Sequence, residues 1–282
     1  LSEPRFLDLE EAIGQVLDLF RMQASRIKTD TWQGYSTEGR PEMEMHEVLR
    51  VSFSALITSE ERYEIARQVQ PNLPWADDHF RERVSGQPLN PGEQWKHWPW
   101  GLHADKSRVI PQQGGQMQFN HTYMERYWPR HAGVTVDGEL PFSFMGEPRQ
   151  GIRFEYGDLN SVLDLLERDP FTRQAWIPIF HPEDTGIGDG GRKPCSLGYQ
   201  FILRGKHLSV YYPLRSCDIY RHMRDDIYLT VMLLLWVIRQ LRLRDGRWEY
   251  VKPGMLWMWM TSLHCFRNDW RLLFGKDADE PA

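Results

Sequence analysis

The chain has 282 residues, 41% of them hydrophobic, with 34 Lys and Arg against 39 Asp and Glu and a formal net charge of −5. That length allows one large domain or two small ones with ample apolar content for a core, and the acidic balance gives no basis for a nucleic-acid partner. Three cysteines, Cys195, Cys217 and Cys265, are an odd number without metal-ligand spacing, which argues against a disulfide framework or a metal site and fits a reducing, cytoplasmic setting.

The N-terminal "LSEPRFLDLEEAIGQVL" is acidic and amphipathic, without the basic and apolar regions of a signal peptide. Leu9, Ile13, Val16, Leu17 and Phe20 recur at helical spacing and predict a helix over 7–26. "EMEMHEVLRVSFSAL" partly alternates and is rich in β-formers, a strand. "SEERYEIARQVQ" opens a helix at Ser59 that Pro71 and Pro74 close, and "WADDHFRERVSG" predicts another that ends at Gly86. Residues 87–118, rich in Pro, Gly and Trp, read as an ordered loop, and "VTVDGELPFSF" carries the Asp-Gly signal of a hairpin.

"DLNSVLDLLERDP" is an amphipathic helix with Asp158 or Asn160 as its cap. Strands follow at "AWIPIF", after Cys195 and at "HLSVYYPL". The glycines of "GIGDGGRKP" open no helix, so that loop is not expected to cradle a phosphate. A long helix spans 226–241; its apolar run "YLTVMLLLWVI" is too short to cross a bilayer and reads as buried all round, and no membrane partner is expected. "MLWMWMTSLHCF" predicts a last strand, followed by a polar tail. With no repeat or composition break, 1–282 reads as a single α/β domain. The twelve tryptophans are core and interface residues, or surfaces on which a flat ligand stacks.

Cys195 is the first candidate for chemistry. A cysteine in a strand context is ordinarily a small buried hydrophobe. This one follows Lys193 and Pro194 at a loop-to-strand junction, and Arg215 ends the next strand pair, so a hairpin returns the guanidinium towards the thiol. A nearby cation favours the thiolate, and arginine also suits a phosphate dianion. The pairing suggests a thiolate acting on a phosphorylated substrate.

From "DLNSVLDLLERDPFTRQAW" through "PCSLGYQFIL" and "YPLRSCDIYRHMRDDIYL" to "SLHCFRND", the chain resembles the thymidylate synthase family, with a Pro-Cys pair followed twenty positions after the cysteine by Arg-Ser-x-Asp. The resemblance implies one large mixed β-sheet with flanking helices, a homodimer joined through a sheet face, and a pyrimidine nucleotide and 5,10-methylenetetrahydrofolate as substrates. Cys195 would add to C6 of the base. Arg215 and Ser216 match phosphate contacts, as does Arg173, which family members donate across the dimer interface; a second arginine common beside it is here Gln174. Lys28 takes the place of a further phosphate ligand. Asp218 matches the aspartate that holds the pterin, and Trp95 and Trp98 match tryptophans near the folate. His264 matches the ribose-binding histidine and Tyr123 the active-site tyrosine. Glu82 best matches the general base, with Asp78 as its rival; otherwise Glu82 is a solvated charge between Arg81 and Arg83.

Thymidylate synthases read uracil with an asparagine, and the matching position here is Asp226. A carboxylate accepts from the N4 amine of cytosine but cannot donate to O4 of uracil; alternatively Asp226 only caps the long helix. "RDD" also resembles the segment that carries this aspartate in the cytidylate 5-hydroxymethylase branch, known from phage DNA modification and nucleoside-antibiotic synthesis. Ser196 stands where thymidylate synthases usually carry histidine, and Phe266 where a tyrosine contacts deoxyribose. The expected reaction is therefore 5-hydroxymethylation of CMP, with water rather than hydride adding to the one-carbon unit. The rivals are a dCMP hydroxymethylase, a divergent thymidylate synthase and a catalytically silent nucleotide- or mRNA-binding dimer. The C-terminal "KDADEPA" does not resemble the apolar closing tail of thymidylate synthases.

Overall fold

The computed structural model describes residues 7–32, 35–99, 109–111, 117–119, 121–131, 153, 155–185, 193–275 and 280. The expected hairpin at Asp137–Gly138, most of the glycine loop and most of the C-terminal tail lie outside them.

Helix α1 (Leu9–Gln23) starts at Asp8, whose side chain accepts from Glu11 N–H at 2.9 Å while Glu11 reaches back to Asp8 N–H, a reciprocal cap that satisfies two orphan donors. After it come β1 (Ser25–Ile27), the hairpin β2 (Thr31–Trp32) and β3 (Tyr35–Ser36), and the long strand β4 (Met45–Leu56). Helices α2 (Arg62–Val69) and α3 (Trp75–Arg83) follow. Within the region expected as loop are a 3₁₀ turn at Gln94–His97 and the strands β5 (Val109–Pro111) and β6 (Met117–Phe119). α4 (Tyr123–Tyr127) and α5 (Leu159–Arg168) both begin in capping boxes; for α5 the cap is Asp158, not Asn160.

The C-terminal part holds β7 (Trp176–Pro178), the turn α6 (Pro182–Thr185), β8 (Gly198–Arg204), β9 (His207–Leu214), β10 (Cys217–Asp218), α7 (Met223–Arg244), β11 (Lys252–Phe266) and α8 (Arg267–Phe274). α8 replaces the start of the expected polar tail because its apolar side is anchored: buried Trp270 packs on Phe20 and Phe274 at ring distances of 5.9 and 4.6 Å. α7 starts at Met223 with His222 as its N-cap residue, which puts Asp226 inside the first turn and corrects its alternative reading as a cap. Among the described residues no helix is long and apolar enough to cross a membrane.

The fold is α/β: seven strands form a mixed sheet in the order β1-β4-β11-β9-β8-β7, with β10 also paired to β11. β11 runs parallel to β9 and β10 and antiparallel to β4. Leu214 pairs with Met260 and Cys217 with Leu263, so β10 continues the line of β9 after a break at Arg215 and Ser216. That break frees two side chains from the ladder where β9 ends. Against the inner face pack apolar residues of α7, among them Ile227, Val231, Leu234 and Ile238, all buried. On the other face one registered row, Trp176, Gln200, Tyr211, Trp257 and Ser54, crosses five strands and stays exposed or half-buried throughout.

Candidate functional site

Cys195 lies on the extension of β8 towards its N-terminal side. Arg215 N–H donates to Cys195 O at 2.9 Å, Leu197 N–H donates to Pro213 O at 2.9 Å, and Ser196 bridges to Leu214. The Arg215 side chain turns back across this ladder: Nε donates to Pro194 O at 2.8 Å, Nη2 to Lys193 O at 3.0 Å, and Nη2 stands 4.0 Å from Cys195 Sγ. The thiol and guanidinium are thus held together by backbone pairing. Cys195 is half-buried, whereas Cys217 and Cys265 are buried and burial pushes both thiols up, which keeps them protonated.

Beside Cys195 opens a cavity walled by α3, the 91–98 segment, the start of α4, β10 and the first turn of α7. Its walls are largely aromatic. Trp95 meets Phe119 edge-on at 5.4 Å, Trp98 stacks on His222 at 5.4 Å and 12°, and Trp75 stacks on His79 at 4.9 Å and 18°. Trp95 Nε1 is buried with no hydrogen-bond partner among the described residues. Ser216, Asp218, Tyr123 and Asp226 also line this cavity.

The two adjacent aspartates of α7 have different surroundings. Asp225 is gripped by Asn72, whose backbone N–H donates to Oδ1 and whose side chain donates to Oδ2, both at 2.8 Å. Asp226 has Oδ1 3.4 Å from the hydroxyl of Tyr212, which donates to it. Asp218 accepts from the N–H groups of Tyr220 and Arg221 through Oδ1, at 3.0 and 2.9 Å. Burial outweighs these bonds and the Arg221 charge, and pushes its pKa up to about 7. His264 stands behind Ser216, with Nδ1 3.4 Å from Oγ, rather than on the cavity wall. Burial and the charges of Arg215 and Arg221 push it down to about 4, so it is neutral at pH 7.

Glu82 is not on the cavity wall. Its Oε1 accepts from the N–H groups of Glu93 and Gln94 at 2.6 and 3.1 Å. Gly92 lets the loop come this close, since at its φ of +79° a Cβ would lie 2.8 Å from Glu82 Oε2. Burial opposes ionisation of Glu82, but His79 and the two N–H groups more than offset it, and the carboxyl stays below its usual range. Asp78 pairs with Arg81, also away from the cavity. Lys28 is exposed just beyond β1, and Arg173 is exposed just before β7; neither lines the cavity within this chain.

Several wall residues escaped the sequence reading, Arg83 and His79 among them. Arg83, 4% exposed, donates from Nε to His79 Nε2 at 3.0 Å and lies over the Tyr123 ring at 4.1 Å. His79 is pushed down to about 4 by burial and by the Arg83 charge. Their i, i+4 spacing on α3 puts them on one face, but a run of charges conceals which face turns inward. No family model matches the chain, and no curated protein matches it.

Proposed function

We propose that this protein is a folate-dependent 5-hydroxymethylase of cytidylate, with a thymidylate synthase-type fold and CMP as its preferred substrate. The observation that carries the reading is a half-buried thiol held beside a guanidinium, on the same cavity wall as a carboxylate in the first turn of α7. Cys195 forms a bond to C6 of the base, moving electron density to C5, which bonds to the incoming carbon. The C5 proton leaves through water towards Glu82, the base of this reading. The bond from the transferred carbon to the folate amine breaks, the amine keeping the electron pair and taking up a proton. Water then adds to the exocyclic carbon, losing a proton, and the thiolate leaves C6. Asp226 accepts from the N4 amine; uracil O4 there would oppose two acceptors, at a cost of about 1–3 kcal/mol.

5,10-Methylenetetrahydrofolate supplies a one-carbon unit at the oxidation level of formaldehyde. The residues present fit it: Trp95, Trp98 and Phe119 offer apolar walls for a flat heterocycle, and the unpartnered Trp95 Nε1 needs an acceptor of the kind a pteridine carries. Asp218 is assigned its polar edge.

The protein acts as a homodimer through the open sheet face, where Trp257 and Trp176 remain 37% and 36% exposed. The partner's copy of Arg173 then joins Arg215 and Ser216 at the phosphate. Tritium release from C5-labelled nucleotides in the presence of the folate tests the reading. Release from CMP above dCMP, and none from UMP or dUMP, is expected; release from dUMP alone would replace it with a thymidylate synthase reading, and no release from any nucleotide would end the enzymatic one.

A further inference from the structure

A carboxyl group can read either pyrimidine. With its proton on one oxygen it offers a donor and an acceptor side by side, and moving the proton to the other oxygen reverses their order. Cytosine presents a donor at N4 and an acceptor at N3, whereas uracil presents an acceptor at O4 and a donor at N3. An aspartate that shares a proton with the base therefore matches both, unless the protein fixes which oxygen keeps its lone pairs.

Tyr212 is placed to do this. Its hydroxyl donates to Asp226 Oδ1 across 3.4 Å. That is long for an O–H···O contact, so its effect is to keep a proton off Oδ1 rather than to add much stability. The ring cannot swing away: it is fully buried, stacked on Tyr199 at 4.6 Å with 2° between the planes, and Tyr199 meets Tyr127 edge-on at 5.9 Å. Burial, with the Asp226 charge second, pushes the Tyr212 phenol well above its ordinary value, so it keeps its proton and remains a donor. Asp225 cannot substitute, because Asn72 occupies both of its oxygens.

We propose that Tyr212 is a positioning residue that sets base specificity, locking Asp226 into the proton arrangement that matches cytosine and mismatches uracil. Oδ1 accepts from the N4 amine and Oδ2 shares the proton with N3. This role rests on Asp226 reading the base, as proposed above.

Equilibrium binding of CMP and UMP to the full chain without folate tests it, using wild type, Tyr212→Phe and Tyr127→Phe. Tyr212→Phe keeps the ring and its stack, and should reduce the preference for CMP over UMP at least tenfold, chiefly by tightening UMP. Tyr127→Phe, which removes a buried hydroxyl at the far end of the row, should leave the preference unchanged. If Tyr212→Phe retains the wild-type preference, even with both ligands weakened equally, the hydroxyl is merely structural and the proposal is overturned. A wild type with no preference for CMP would overturn the reading of Asp226 itself, and this role with it.

Discussion

Replacing Asp218 by asparagine should stabilise the protein at alkaline pH while leaving it unchanged in acid. Asp218 is 4% exposed, and burial raises its carboxyl from 3.8 to about 7. Between those values the native state holds a proton that the unfolded chain has released. The stability contributed by Asp218 is therefore greatest below about pH 4, falls as pH rises towards 7 and then levels off. At ~1.4 kcal/mol per pH unit, the gap corresponds to roughly 4 kcal/mol. Asparagine keeps an oxygen for the Tyr220 and Arg221 N–H groups, and Arg221 keeps its 2.7 Å bond to Asp269. The buried charge is removed together with its 3.8 Å ion pair to Arg221. Urea unfolding of wild type and Asp218→Asn at pH 4 and pH 8.5 isolates the effect, since other titrating groups cancel in the difference. The variant should gain about 2–4 kcal/mol at pH 8.5 and almost nothing at pH 4. An equal difference at both pH values, or a variant less stable at pH 8.5, would refute the reasoning.

Cys195→Ala should lower turnover by roughly 10³-fold or more while nucleotide affinity measured by calorimetry changes little; turnover equal to wild type would exclude the thiol from the chemistry. Gly92→Ala places a methyl group 2.8 Å from Glu82 Oε2 at a positive φ, so it should cost about 1–3 kcal/mol in thermal unfolding and raise KM for the folate more than for the nucleotide, because the displaced loop carries Trp95 and Trp98. Trp257→Lys puts a charge on the open sheet row and should shift sedimentation from dimer to monomer with loss of activity; a dimer of unchanged strength would locate the interface elsewhere.

Local chemistry made helices such as α1 and α5, and the Cys195 hairpin, legible. Asp158 announces α5 because a capping side chain acts within three residues, and Arg215 returns to Cys195 because two adjacent antiparallel strands leave it no other course. Long-range contacts stayed hidden. Asn72, 153 residues away, takes both oxygens of Asp225, whereas Asp226 faces the Tyr212 hydroxyl. Nothing in the sequence signals that a loop eleven residues on holds the Glu82 carboxylate, and only the fold shows that Gly92 allows that approach. Arg83 and His79 were obscured for a related reason: neighbouring charges on α3 gave no sign of which would be buried. α8 was missed because Trp270 finds its partner, Phe20, at the other end of the sequence.

Mass spectrometry of parallel reactions containing 5,10-methylenetetrahydrofolate with CMP, dCMP or dUMP tests the central claim most directly. A gain of one CH₂O unit, greatest on CMP, is the predicted result and identifies water as the last nucleophile. A gain of only CH₂ on dUMP, with dihydrofolate formed, would contradict it and return Asp226 to the reading of uracil.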